Sequence, residues 1–193
     1  MPLNDTQIIE LAEQGMISPY LRSQLRTIDD RPVISRGVSS FGYDITLSAT
    51  EFRIFRRIPG EVVDPKNFTI DHLEWSNLQT GPEGSWFILP AHSYGLGVSM
   101  EDFIIPEDVI ATCIGKSTYA RCGVIVNVTP LEPGWAGHLT LEISNSSDSD
   151  VRVYANEGIA QLVFERGDRP AITYSDRSGK YQHQAERVTL ARV

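Results

Sequence analysis

Two groups of residues in the stretch GKSTYARCGVIVNVTPLEPGWAGHLTLEISN, Gly115 to Asn145, have types and spacing that can do chemistry. The first is Lys116-Ser117-Thr118-Tyr119-Ala120-Arg121, bracketed by Gly115 and Gly123. If it makes one or two helical turns, Ser117 and Arg121 share a face. Its early backbone N–H groups lack intrahelical partners, so together with Lys116, two hydroxyls and a planar guanidinium they can bind phosphate oxygens. An ordinary solvated turn with a basic flank fits the same residues. The Gly-Lys-Ser triplet does not belong to a P-loop, which needs glycine five residues before Gly115, where Ile110 stands. The second group is a single carboxylate, Glu142, suited to moving a proton if it is kept from bulk water.

The elements that must position these groups read as strands. Val124, Val126 and Val128 alternate with Ile125, Asn127 and Thr129, and the run stops at the turn residues Pro130-Leu131-Glu132-Pro133-Gly134. After it, Leu139, Leu141 and Ile143 point one way while His138, Thr140, Glu142 and Ser144 point the other. Glu142 therefore lies mid-strand on a polar face, where a solvent-facing residue of a half-exposed sheet is the alternative.

At 193 residues, 41% hydrophobic and 22% charged, the chain suits one soluble domain with a substantial core. Acidic residues outnumber basic ones 25 to 17, a formal charge of -8, which repels nucleic acid and anionic membranes but leaves room for a small phosphorylated ligand at a local basic site. No apolar run is long enough for a membrane span and the N-terminus lacks a secretion-signal layout, so a cytoplasmic protein is expected. Cys113 and Cys122 are too sparse for a disulfide framework. One H-x-E occurs, His72-Leu73-Glu74, but there is no C-x-x-C, and His92, His138 and His183 show no metal-ligand spacing. No zinc site is expected.

In chain order, a helix capped by Asn4 or Asp5 and stopped by Gly15 comes first. Residues 17 to 36 read as a mixed surface connection. Strand-like runs YDITL and FRIFRRI follow, then a loop-rich excursion over residues 60 to 85 with a turn at Gly81-Pro82. WFILP, YGLGVSM, VIATCI, VRVYA and AQLVFER resume the strand pattern, broken every 8 to 12 residues or so by turn chemistry, which predicts an all-β sandwich or barrel. From Gly167 the tail carries few large apolar residues and reads either as a frayed terminus or as a lid.

SSFGYDITL from Ser39, VVDPKNF from Val62, the Gly115–Asn145 stretch, NEGIAQLVF from Asn156 and GKYQHQ from Gly179 together resemble the dCTP deaminase family, related in fold to the trimeric dUTPases. The resemblance extends over nearly the whole chain. It implies a mainly β, dUTPase-like distorted β-barrel or jelly roll (β-clip) with a short N-terminal helix, in one domain: helix 1–16, β core 37–166, tail 167–193. It implies zinc-independent hydrolysis of dCTP to dUTP and ammonia, with Glu142 as general acid/base and with Ser117 and Arg121 orienting the water and that carboxylate. By the same resemblance Lys116, Ser117, Thr118, Tyr119, Ala120 and Arg121, as a segment, line the phosphate path, Thr140 and Leu141 contact the nucleoside through the strand, Gln161, Tyr174, Lys180 and Gln184 complete the pocket, and the tail closes over the nucleotide. It further implies magnesium carried on the triphosphate, dTTP as a candidate inhibitor, and a homotrimer with active sites between subunits. Two departures stand out. Gln184 is followed by Ala185-Glu186-Arg187 where the family has a glycine, and Pro130-Leu131 occupy a hairpin that varies within it. A bifunctional deaminase releasing dUMP, a dUTPase-like pyrophosphatase and a non-enzymatic β-domain are the competing readings.

Overall fold

The computed structural model describes all 193 residues. Helix α1, Asp5–Glu13, begins with a reciprocal cap: the Asn4 side chain accepts the Gln7 N–H at 3.0 Å while Gln7 accepts the Asn4 N–H at 3.1 Å. Such a cap stabilises by about 1 kcal/mol. The helix buries Ile8, Leu11 and Ala12.

The expected connection over residues 17 to 36 is instead structured. It holds β1, Ile17–Ser18, and a hairpin of β2, Leu25–Ile28, with β3, Arg31–Ser39. Asp29 and Asp30 both take positive φ, 48° and 61°, which is the two-residue turn that matches strand twist. β4, Gly42–Thr46, follows, buried at every position. The FRIFRRI run yields only β5, Arg53–Phe55, because Pro59 and two arginines end the pairing.

The excursion contains a single 3-10 turn at Ile70–His72, then β6, Leu73–Trp75, and β7, Gln79–Gly81, which pairs across the Gly81-Pro82-Glu83-Gly84 turn with β8, Gly84–Leu89. The long strand β9, Tyr94–Ile104, precedes β10, Val109–Gly115, and the one-turn helix α2, Ser117–Ala120. β11, Val124–Asn127, and β12, Ala136–Asn145, form the expected hairpin, and β13, Val151–Ala155, and β14, Gly158–Arg166, complete the strands.

The strands make three sheets, in the orders β11-β12-β9-β5-β6 with β1 beside β9, β10-β14-β4-β3-β2, and β13-β8-β7. All named pairings are antiparallel, and one contiguous core runs between them. On β12 every second residue is buried, so Leu139, Leu141 and Ile143 enter that core, each worth about 2 kcal/mol of apolar burial. The mainly β class expected from the strand rhythm is the one observed. No helix is long and apolar enough to cross a membrane.

Candidate active site

The alternation that buries Leu141 and Ile143 turns Glu142 and Thr140 outward, into a cleft of about 900 Å³. Opposite Glu142 stand Asn127 on β11 and Leu96 on β9. Asn127 Nδ2 donates to Glu142 Oε2 at 2.8 Å, and Oε1 accepts nothing within the chain. One oxygen is thus fixed and the other makes no hydrogen bond within the chain. Just upstream, the β12–β9 pairing slips between His138 and Thr140, and Ser99 Oγ fills the irregularity by accepting the Leu139 N–H at 2.8 Å. This re-aims the strand at the point where it enters the cleft.

Carbon forms most of the walls. Phe55, Tyr94 and Leu96 supply one side, and Val63, Pro65 and Phe68 of the excursion another, so that loop region has a role its sequence did not reveal. Phe55 stands edge-on to Tyr94 with ring centres 5.2 Å apart and 5.5 Å from Phe68. The hairpin from Val128 to Pro133, with Trp135 and Leu139, forms the third side. No lysine, arginine or histidine lines the cleft. The electrostatics follow from this. Burial first, and the negative Glu142 second, raise the Tyr94 phenol above its ordinary value. The same two causes push the Cys113 thiol up to about 12, so it stays neutral and unreactive.

The tail closes the remaining side. Gln184 meets Gly137 in a short parallel bridge, with the His183 N–H donating to Ala136 O at 2.8 Å and the His138 N–H to Gln184 O at 2.9 Å. Gly137 has φ +132°, and a side chain there would lie 2.5 Å from the Gln184 nitrogen, so only glycine lets the tail pass so near. Trp135 Nε1 donates to Tyr181 O at 2.9 Å, and the Tyr181 N–H donates to the Tyr174 hydroxyl at 3.0 Å. Thr140 Oγ1 donates to Gln184 Oε1 and accepts the Thr189 N–H, both at 3.2 Å. Thr189, Leu190 and Ala191 then lie along the cleft.

Of the expected site residues, Glu142, Thr140, Tyr174 and Gln184 share this cleft. Leu141 does not put its side chain there, since it is fully buried in the core. Lys180 is exposed and donates to Arg192 O at 3.1 Å, outside the cleft lining. The basic turn lies elsewhere. Ser117, Thr118, Ala120 and Arg121 are exposed, and Arg121 makes no ion pair or side-chain hydrogen bond. Within that turn the Tyr119 side chain turns inward: its ring is buried and its hydroxyl accepts the Tyr154 N–H at 2.8 Å. Lys116 and Gln161 both reach Asp44, with Lys116 Nζ 2.6 Å from Asp44 Oδ2 and Gln161 Nε2 3.2 Å from Oδ1.

Sequence reasoning missed Asn127, although a hairpin closed by Pro130 to Gly134 sets it opposite Glu142. It also missed Asp44, for which an acid inside the otherwise apolar YDITL run is the signal. His72 stacks on Phe68 at 5.3 Å with Nε2 3.4 Å from Glu61, and no three His, Cys, Asp or Glu side chains converge as metal ligands.

Residues 3–167 match the family model for dCTP deaminase-like domains. The chain is 50% identical over 182 residues to a dCTP deaminase of Pseudomonas aeruginosa, covering 94% of this chain and 93% of that one. It is 49% identical over 192 residues to a dCTP deaminase of Acidovorax, with 98% of each covered. A crystal structure of 2'-deoxycytidine 5'-triphosphate deaminase from Agrobacterium tumefaciens shares the fold at a TM-score of 0.57 and 20% identity, matching 86% of this chain and 48% of that one. With the family model spanning most of the sequence and relatives half identical over nearly its full length, the chain belongs to the dCTP deaminase-like family.

Proposed function

We propose that this chain is a hydrolase that deaminates dCTP to dUTP and ammonia. The observation that carries the reading is Glu142, with one oxygen held by Asn127 and the other open to a cleft walled by carbon. A flat pyrimidine fits such walls, and once bound it would screen the carboxylate beside them from bulk water. In the proposed sequence Glu142 takes a proton from water as the oxygen bonds to C4 of cytosine, and passes it to N3. It then moves the second proton from the new hydroxyl to the exocyclic amine. Ammonia leaves, C4 becomes a carbonyl, and the carboxylate is regenerated. A positioned general acid/base contributes about 10² to 10⁴-fold, with orientation supplying the remainder.

The triphosphate needs cations that the cleft lacks. A second copy of the chain supplies them through its exposed turn, where Ser117, Thr118 and Arg121 are free to bind phosphate oxygens and to help orient the water. Exposed Ile110, Ile114 and Ile125, on the neighbouring strands β10 and β11, favour such self-association, and a closed ring of three copies completes three sites. Magnesium travels on the triphosphate: the turn offers cations and hydroxyls and no carboxylate, so it suits the phosphate oxygens and leaves the ion to phosphate and water. dTTP enters the same cleft as an inhibitor, having a carbonyl where cytosine has its amine.

The test is to incubate the protein with dCTP and magnesium and to measure ammonia, dUTP, dUMP and pyrophosphate. Ammonia with dUTP in equal amounts is expected; dUMP with pyrophosphate would replace the reading by a bifunctional one, and no ammonia would reject it. Glu142→Gln is expected to lower turnover at least about 10²-fold while dCTP still binds.

A further inference from the structure

Three neighbouring strands bring a buried acid against two of the residues assigned above to the nucleotide. Asp44 on β4 is directly opposite Gln161 on β14, Gln161 is directly opposite Ile114 on β10, and Lys116 follows the end of β10 at Gly115. Their side chains meet on Asp44. Lys116 Nζ is 2.6 Å from Oδ2, and Gln161 Nε2 donates to Oδ1 at 3.2 Å and to Ser39 Oγ at 2.9 Å. Gln24 Nε2 at 2.7 Å and Ser35 Oγ at 3.2 Å donate to Oδ2 as well.

Asp44 is 1% exposed and the Lys116 side chain 11%. A carboxylate so placed is tolerated only because it is paired and hydrogen-bonded on both oxygens, and such pairs fix geometry more than they add stability. Neither partner is exhausted by the contact. The ammonium has three hydrogens and spends one on Asp44, and the Gln161 amide oxygen accepts nothing within the chain. The backbone also fits closely: a side chain at Gly42 would come within 2.6 Å of Leu162 O and 3.1 Å of Gln161 Cγ, so glycine lets β4 press against the base of the Gln161 side chain.

We infer that Asp44 is a positioning residue for nucleotide binding, holding the Lys116 ammonium and the Gln161 amide in the orientation from which they meet the phosphate path. The inference rests on the functional reading above and on the nucleotide role that the sequence resemblance implies for those two residues. It concerns Asp44, which touches neither substrate nor reacting atoms and acts through its partners.

The test compares steady-state kinetics and equilibrium binding of magnesium dCTP for the wild-type chain and for Asp44→Asn, which keeps the shape and removes the charge. A charge-assisted pair orients its partner with a free energy equivalent to tenfold or more, so KM for dCTP is expected to rise about tenfold while kcat stays within about threefold. A merely structural residue would not give that split, and Glu142→Gln gives the opposite one. The affinity loss in Asp44→Asn combined with Lys116→Met is expected to be smaller than the sum of the two single losses. An unchanged KM, or a loss confined to kcat, overturns the inference. If Asp44→Asn does not fold, Gln24→Leu with Ser35→Ala loosens the carboxylate by removing its two other donors to Oδ2; it is expected to raise KM by about threefold, and an unchanged KM there overturns the inference equally. A wild-type chain that neither binds nor converts dCTP rejects the functional reading and this inference together, whereas an active wild type with an unaffected Asp44→Asn rejects this inference alone.

Discussion

Around Glu142 the chain lines a cleft mostly with carbon, and the carboxylate accepts from one amide; around Asp44, on another sheet, four polar side chains crowd a single acid. Both acids sit mid-strand in antiparallel sheets, so strand geometry does not separate them. Their neighbours do. Asp44 has its charge balanced by Lys116 and both oxygens occupied, which suits a fixed anchor. Glu142 has no cation and one open oxygen, which suits a group that must gain and lose a proton. In the proposed reading this is a division of labour: the acid that would handle protons stands in a cleft without cations, and the cationic turn lies outside that cleft.

That division can be broken most decisively by mixing two inactive chains. Arg121→Ala removes the free guanidinium of the turn and Glu142→Gln the acid of the cleft, and each variant alone is expected to be nearly inactive. If one copy's turn serves another copy's cleft, co-refolding the two in equal amounts restores about a quarter of wild-type activity, since that share of randomly assembled sites has both groups intact. Activity that stays at the level of the single variants would place the whole site within one copy and end the comparison.

A smaller effect is expected where the tail meets the cleft. Gly137→Val puts a side chain where the Gln184 backbone runs, so the tail must lift. Loss of closure is expected to lower kcat/KM by roughly ten- to hundredfold and to expose the chain near Lys180 to protease. Full activity with an undocked tail would remove the tail from the site.

The smallest effect concerns a third acid that sharpens the contrast. Glu101 on β9 is 2% exposed and makes no ion pair; Thr46 donates to both its oxygens, at 2.9 Å from the backbone and 2.7 Å from the hydroxyl. Burial outweighs those donors and pushes its carboxyl from 4.5 up to about 7. Between these values the folded protein binds more protons than the unfolded chain. Stability therefore falls as pH rises from about 4.5 through 7, by about 3 kcal/mol in all. Glu101→Gln is expected to flatten the plot of melting temperature against pH over that window, and an unaltered slope would assign it to other groups. Asp44, with a lysine beside it, shows the alternative way to keep an acid inside.

Some of this was legible in the sequence for a physical reason. Strand alternation is local, so Leu139, Leu141 and Ile143 announced their burial and Glu142 its opposite face. The cap at Asn4 and the break at Pro130 to Gly134 are likewise written in a few adjacent residues. The hairpin of β2 and β3 was missed because an Asp-Asp turn is a weaker signal than Asn-Gly, and its strands alternate imperfectly. The cleft walls were illegible because Val63, Phe68, Tyr94 and Leu190 meet only through long-range packing. Within the basic turn the side chains divide, which the segment's composition did not announce: Ser117 and Arg121 face water while the ring of the tyrosine between them is buried in the core.

The bridge between Gly137 and Gln184 lies five residues along the same strand from Glu142, roughly 17 Å at ordinary strand rise. Shutting the door and steadying the acid are therefore one mechanical act, because the latch is fastened to the very rail on which the carboxylate rides. In the proposed reading, a molecule that pries the terminus loose is expected to disturb the carboxylate without ever touching it.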